Sequence, residues 1–191
     1  WERRDWLRLG IFDLMTSLHP FWPAPKGRDL DATVALPGSK SLTNRELLLS
    51  AIASEPTLLV APLVSRDSKL MIQALESLGI AFEWQGTDLL VTPGKLTGPA
   101  DIDCGLAGTV MRFVPPLSTL AEGRISFDGD EGARRRPMHT TIDSLRALGV
   151  EVSAESDSLP FIVSGTGRVA GGVLEIDASA SSQFVSGLLL V

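Results

Sequence analysis

The stretch Ala74-Leu75-Glu76-Ser77-Leu78-Gly79-Ile80 returns as Ser144-Leu145-Arg146-Ala147-Leu148-Gly149-Val150, about 70 residues further along the chain. Each reads as the last turns of a helix closed by glycine, which takes the left-handed conformation of a C-cap without steric cost. The surroundings repeat as well. Residues 70–78 and 140–148 have helical periodicity. Residues 80–84 and 89–92 read as a hairpin around Gly86, and 150–154 is expected to pair with 161–164.

Extending the pattern outward gives a unit of strand, helix, strand, helix, strand, strand. The first unit spans about 31–93, the second about 100–165, and a third begins near 171 and is truncated at Val191. The expected fold class is therefore α/β (α+β), built from repeated βαβαββ units, about two and a half of them present. Repeat units bury one face against their neighbours, so an incomplete third unit is expected to leave apolar surface exposed. Residues 1–30 break the pattern. They hold Trp1, Trp6 and Trp22, and Pro20, Pro23 and Pro25 interrupt any regular element; they read as an N-terminal extension and lead-in. The chain starts at Trp1 and stops inside the apolar run 184–191, which suggests a piece of a longer protein.

One kind of loop occurs three times within this repeat, as Pro37-Gly38-Ser39-Lys40-Ser41, Gly105-Leu106-Ala107-Gly108-Thr109 and Ser179-Ala180-Ser181-Ser182. Each follows a strand-like run (32–36, 100–103 and 173–177) and precedes a helix-like run. Small residues at a helix start leave N–H groups free to meet an anion, and the helix dipole favours negative charge there. Three such loops suggest a scaffold that gathers helix starts around one anionic ligand.

Composition narrows the classes. A net charge of -6 and a pI near 4.9 argue against a general nucleic-acid binder. Arg134-Arg135-Arg136 is the one dense basic cluster. The single cysteine, Cys104, excludes an internal disulfide and fits a reducing compartment. No apolar run reaches the roughly 18–20 residues of a membrane span, and the N-terminus lacks a signal-peptide pattern. A cytoplasmic protein that binds neither membrane nor nucleic acid is expected.

The first loop resembles the end of a nucleotide-binding P-loop but departs from it. Ser39 stands directly before Lys40, where that motif has glycine. The loop still places a cation, Lys40, and a hydroxyl, Ser41, at a helix start. Arg45 follows four residues later on the same face, where its fork can grip a carboxylate. Gly108 allows close approach to the backbone of the second loop. Arg112 reads as a brace between loops. Ser181 and Ser182 offer hydroxyls suited to a phosphate, Gln183 an adaptable amide, and Arg136 completes a cationic wall. His19 and His139 are far apart and no Cys/His cluster exists, so no metal site and no cofactor are expected. His139 reads as a first-turn helix residue and Cys104 as a small strand-end residue, without the partner a nucleophile needs.

Taken in order, Leu36 to Arg45, Gly105 to Arg112, Arg136-Pro137 and Ser181-Ser182-Gln183-Phe184 resemble the signature motifs of the 5-enolpyruvylshikimate-3-phosphate synthase family, across about residues 22–191. The wording of 103–109 looks like the actinobacterial branch. The resemblance implies the enolpyruvyl transferase fold, six βαβαββ units in two halves with the active site in the cleft between them. It implies transfer of the enolpyruvyl group of phosphoenolpyruvate to the 5-hydroxyl of shikimate 3-phosphate, on the route to chorismate and the aromatic amino acids, with glyphosate competing for the phosphoenolpyruvate position. It further implies that Lys40, Ser41, Arg45, Ser181, Ser182 and Gln183 bind shikimate 3-phosphate. Lys40, Gly108, Arg136 and Gln183 would meet phosphoenolpyruvate, and Lys40, Arg136 and Gln183 would act catalytically. Two departures, Leu106 for a frequent Asn and Phe113 for a frequent Pro, fall near the phosphoenolpyruvate pocket. The acidic groups that manage proton transfer would lie in the missing C-terminal half, the partner this chain needs, so isolated 1–191 is expected to bind without turnover.

Two alternatives stand beside this reading. A UDP-N-acetylglucosamine enolpyruvyl transferase shares the fold but usually has Asn at the place of Ser41, and commonly a reactive loop cysteine. A non-catalytic anion-binding fragment is the other.

Overall fold

The repeat is visible in the order of the elements. The first pass contains α1 (Lys40–Ala51), β1 (Thr57–Leu59), α2 (Arg66–Ser77), β2 (Ala81–Gln85) and β3 (Asp88–Thr92). The second contains β4 (Ala100–Asp103), α3 (Gly108–Ser118), β5 (Glu122–Asp128), a short α4 (Glu131–Arg134), α5 (His139–Ala147), β6 (Glu151–Ala154) and β7 (Phe161–Thr166). A last helix, α6 (Gln183–Leu189), follows. This computed structural model describes Gly27, residues 31–34 and residues 36–191. Pro37–Val191 forms one compact unit. Trp1–Leu36 forms another, whose described residues lie in no helix or strand.

The three-stranded first sheet recurs within the four-stranded second. The first has the order β1-β3-β2 with antiparallel neighbours. The second has the order β4-β5-β7-β6, antiparallel except that β4 runs parallel to β5. Removing β4 leaves β5-β7-β6, the image of β1-β3-β2. The parallel pair is joined through α3, the crossover that parallel strands require. In the first hairpin Gln85 opposes Asp88, so Gly86-Thr87 is a two-residue turn, with Gly86 at φ 66°.

The recurring sequence stretch is a recurring helix stop. Gly79 (φ 100°) and Gly149 (φ 82°) both occupy the left-handed region. The N–H groups of Gly79 and Ile80 donate to the carbonyls of Glu76 and Leu75, and those of Gly149 and Val150 donate to Arg146 and Leu145. This pair of bonds is the Schellman motif, which satisfies carbonyls that a helix end leaves open.

Leu47, Leu48, Met71, Leu75 and Leu78 of the first pass and Phe113, Leu117, Ile125 and Phe127 of the second are completely buried, in one continuous core. Phe127 and Phe161, directly opposed on β5 and β7, stack with ring centroids 5.3 Å apart.

Helix α3 carries Pro115 and Pro116 inside it. Pro116 has no N–H to give to the carbonyl of Arg112, one turn back. Helix α6 occupies this opening. A Cβ built on Gly187 would lie 2.4 Å from that Arg112 oxygen, so glycine alone lets α6 come so close.

Two expected strands are absent. Residues 173–177 form no strand, although their alternation suggests one, because they meet no ladder partner; Val173 is fully exposed. Residues 32–34 and 36 are likewise in no strand, and Ala35 lies outside the described residues. The lead-in 1–30 lies outside them too, apart from Gly27, as does His19. Leu189 is 79% exposed, and a groove beside α6 is lined by Pro116, Leu120, Leu148, Leu174, Ile176 and Leu188. Among the described residues, no helix is long and apolar enough to cross a membrane and no group of three His, Cys, Asp or Glu side chains could hold a metal ion.

Candidate functional site

Two side-chain hydrogen bonds join the three helices that the small-residue loops open. Asn44 Nδ2 on α1 donates to Thr109 Oγ1 at the start of α3, at 2.5 Å and fully out of water. Arg112 Nη1 on α3 donates to Gln183 Oε1 at the start of α6, at 3.2 Å. The three helix starts therefore meet, with α3 in the middle.

Each loop is shaped by its own sequence. Ser39 is the N-cap of α1, its hydroxyl accepting from Leu42 N–H. Asp103 Oδ1 accepts from Gly105 N–H at 2.8 Å, and Gly105 turns the chain at φ 48°. The Gly105 carbonyl then accepts from Asp130 N–H, which ties the second loop to the end of β5. In the third loop Asp177 Oδ1 accepts from Ser179 N–H at 2.9 Å. The Ser179 side chain and backbone hold the Asp177 carboxyl below the usual range.

Two of the predicted site residues, Gln183 and Arg136, converge on Gly108. A Cβ there would stand 3.0 Å from Arg112 Nη1, 3.5 Å from Gln183 Oε1 and 3.6 Å from Arg136 Nη1. Two guanidinium groups and an amide thus surround one bare Cα. Burial, and then the charge of Arg136, push the Arg112 guanidinium below the ordinary arginine range. Arg112 also donates to the Gly108 carbonyl and lies over the Phe184 ring at 4.9 Å, so it braces the second loop against α6. Among the described residues no carboxylate forms an ion pair with Arg112 or Arg136.

The arginine triplet divides its roles. Arg134 makes a two-pronged pair with Asp128, at 2.8 and 2.6 Å, and Arg135 pairs with Glu131 on the surface. Arg136 turns the other way and donates to the Leu106 carbonyl at 2.9 Å, which fixes it to the second loop.

The remaining predicted residues make no contact with Gly108 among those its Cβ would meet. Lys40 opens α1, and its Nζ lies 2.9 Å from Asp67 of α2, so the cation is paired rather than free. Ser41 is exposed, and its carbonyl accepts from Arg45 Nη1 at 3.0 Å. The Arg45 guanidinium sits 5.0 Å from the centroid of buried Phe113, a cation–π contact. Ser181 Oγ accepts from Gln183 N–H at 3.3 Å, and Ser182 is the exposed N-cap of α6. Sequence reasoning missed Asn44, Thr109 and Asp67. A polar residue in the buried stripe of α1, beside Leu47 and Leu48, was the available sign for Asn44.

The two other reactive side chains take no part. His139 is the first residue of α5. Cys104 is completely buried, and burial, with added repulsion from Asp103 and Asp128, pushes its thiol up to about 12. It stays protonated and inert near neutrality.

Residues 25–191 match the family described as EPSP synthase (3-phosphoshikimate 1-carboxyvinyltransferase). Among curated relatives, the 3-phosphoshikimate 1-carboxyvinyltransferase of Kocuria rhizophila is 56% identical over 182 residues, covering 88% of this chain and 41% of its own length. That of Mycobacterium ulcerans, also an actinobacterium, is 52% identical over 182 residues, covering 92% and 42%. Among solved structures, EPSP synthase from Acinetobacter baumannii superposes with a TM-score of 0.74 at 26% identity, over 82% of this chain and 37% of that one. The chain thus spans about two fifths of the length of the curated relatives it matches.

Proposed function

The chain belongs to the EPSP synthase family, and from that premise we propose that it supplies one side of an active site for enolpyruvyl transfer from phosphoenolpyruvate to the 5-hydroxyl of shikimate 3-phosphate. The observation that carries this reading is the pair of bonds, Asn44 to Thr109 and Arg112 to Gln183, that ties together the three helices opened by the anion-suited loops. Both substrates are anions, and the residues so gathered are cations, hydroxyls and an amide.

In this reading Ser181 and Ser182 hold the 3-phosphate, Arg45 and Ser41 the carboxylate end, and Gln183 the ring. Arg136 and the bare Gly108 face phosphoenolpyruvate, and Lys40 and Gln183 reach both substrates. Lys40 then has to exchange part of its contact with Asp67 for ligand, a modest cost for a pair whose lysine is half exposed. The chemistry is addition and elimination. The hydroxyl oxygen bonds to C2 of the enol and sheds its proton while C3 takes one. The tetrahedral adduct then loses phosphate as C3 gives a proton back. Cations around the phosphate and carboxylate stabilise charge throughout. Proton transfer at C3 and at the hydroxyl needs a positioned acid and base. The three loops, 37–41, 105–109 and 179–182, hold no carboxylate or histidine, so in this reading the acid and base come from the part of the relatives' length that this chain does not span. The chain on its own binds substrate and releases no phosphate.

Thermal unfolding with added ligand tests the assignment. Shikimate 3-phosphate raises the melting temperature, and the shift grows with the logarithm of its excess over the dissociation constant, whereas UDP-N-acetylglucosamine at equal concentration leaves it unchanged. The opposite ranking transfers the chain to the sister transferase. An equal small shift with any phosphate reduces it to a general anion-binding fragment. Phosphate release by the purified chain from the two substrates overturns the claim that it only binds.

A further inference from the structure

Gln183 could offer a ligand either its carbonyl oxygen or its NH2 group, and the two ends of a side-chain amide interconvert by a simple flip. The neighbouring side chain decides between them. Arg112 has only donors to give, so the amide atom facing its Nη1 at 3.2 Å is the oxygen. Arg112 is itself held in place. Its Nη1 also donates to the Gly108 carbonyl, its guanidinium lies over the Phe184 ring at 4.9 Å, and its Nε is buried. Gly187 lets α6 approach α3 closely enough to keep Gln183 within reach. With the oxygen committed, the Nε2 end faces away from Arg112, and no hydrogen bond engages it among the described residues.

We propose that Arg112 is a positioning residue: it locks the Gln183 amide with its oxygen inward, so that the site presents an NH2 donor to an oxygen of the anionic ligand. The proposal rests on the reading of this site as the shikimate 3-phosphate site. It adds that Arg112 acts through Gln183 and not on the ligand. A donor in that place suits a phosphate, a carboxylate or an ether oxygen, and it excludes a ligand group that must itself donate there.

The test is a double-mutant cycle in this chain, with Arg112→Met, Gln183→Met and the pair, each titrated with shikimate 3-phosphate. Each single change is expected to weaken binding about tenfold or more, as for a lost hydrogen bond to a charged group. The double variant is expected to be no weaker than Gln183→Met alone. Losses that multiply would show Arg112 acting on the ligand directly and overturn the proposal. A readout free of ligand accompanies it: the heteronuclear NOE of the Gln183 side-chain NH2, high in the parent and low in Arg112→Met. An unchanged NOE overturns the lock even if the parent binds shikimate 3-phosphate. A parent that shows the lock but no binding refutes the substrate assignment alone. Should Arg112→Met fail to fold, Gln183→Glu and Gln183→Met are compared at low salt. The carboxylate accepts from Arg112 and raises the melting temperature above that of the Met variant; equal values overturn the proposal.

Discussion

Lys40 Nζ lies 2.9 Å from the Asp67 carboxylate, so the cation that opens α1 is held by the first turn of α2. The lysine is 53% exposed and the aspartate 22%. Such a pair contributes at most about 1 kcal/mol to stability. Lys40→Ala is therefore expected to change the unfolding free energy by less than about 1 kcal/mol while lowering the affinity for shikimate 3-phosphate by roughly ten- to a hundredfold. Urea unfolding and calorimetry on the same preparation separate the two effects. A large stability loss, or unchanged affinity, would make Lys40 a structural residue.

Asn44 joins α1 to α3 from a fully buried position. Asn44→Ala removes the bond and leaves the Thr109 hydroxyl without its partner. The expected cost is about 1–3 kcal/mol of stability, with weaker ligand binding because the first loop is released from the second. Denaturant unfolding of Asn44→Ala, Thr109→Val and the double variant gives the coupling. Fully additive losses would mean the two residues act separately.

Gly187 is where α6 meets the Arg112 carbonyl. Gly187→Ala forces the helices apart, and overpacking of this kind costs about 1–3 kcal/mol. This outweighs the gain in helix propensity of about 1 kcal/mol that the change would bring at an open site. A melting temperature at or above the parent's would contradict the close approach.

Cys104 sets a pH limit and a labelling test. Its thiol is pushed up to about 12 in the fold, against roughly 8.5 in an unfolded chain. Above about pH 8.5 the unfolded chain loses this proton and the native chain keeps it, so stability present below that pH declines as pH rises towards 12. Native protein at pH 8 is expected to resist thiol reagents and to react fully in denaturant. Immediate labelling of the native chain would show that Cys104 is accessible.

The local features were the legible ones. Gly79 and Gly149 carry their meaning in a few neighbouring residues, and so did the β2–β3 hairpin around Gly86 and the starts of α1, α3 and α6. What escaped depends on distant partners. Residues 173–177 alternate like a strand, yet a strand exists only where another offers a ladder, and none does here. The Lys40–Asp67 pair, the Asn44–Thr109 bond and the division of the arginine triplet each join residues whose meeting follows from packing. The role of Gly187 shows only once Pro116 is seen to leave the Arg112 carbonyl open.

The central claim is that three loops of this chain form a ready anion site for shikimate 3-phosphate. A calorimetric titration of the purified chain with that compound tests it most directly. Saturable one-to-one binding that weakens roughly ten- to a hundredfold in Lys40→Ala is the expected result. No binding by a chain that melts cooperatively would contradict the account.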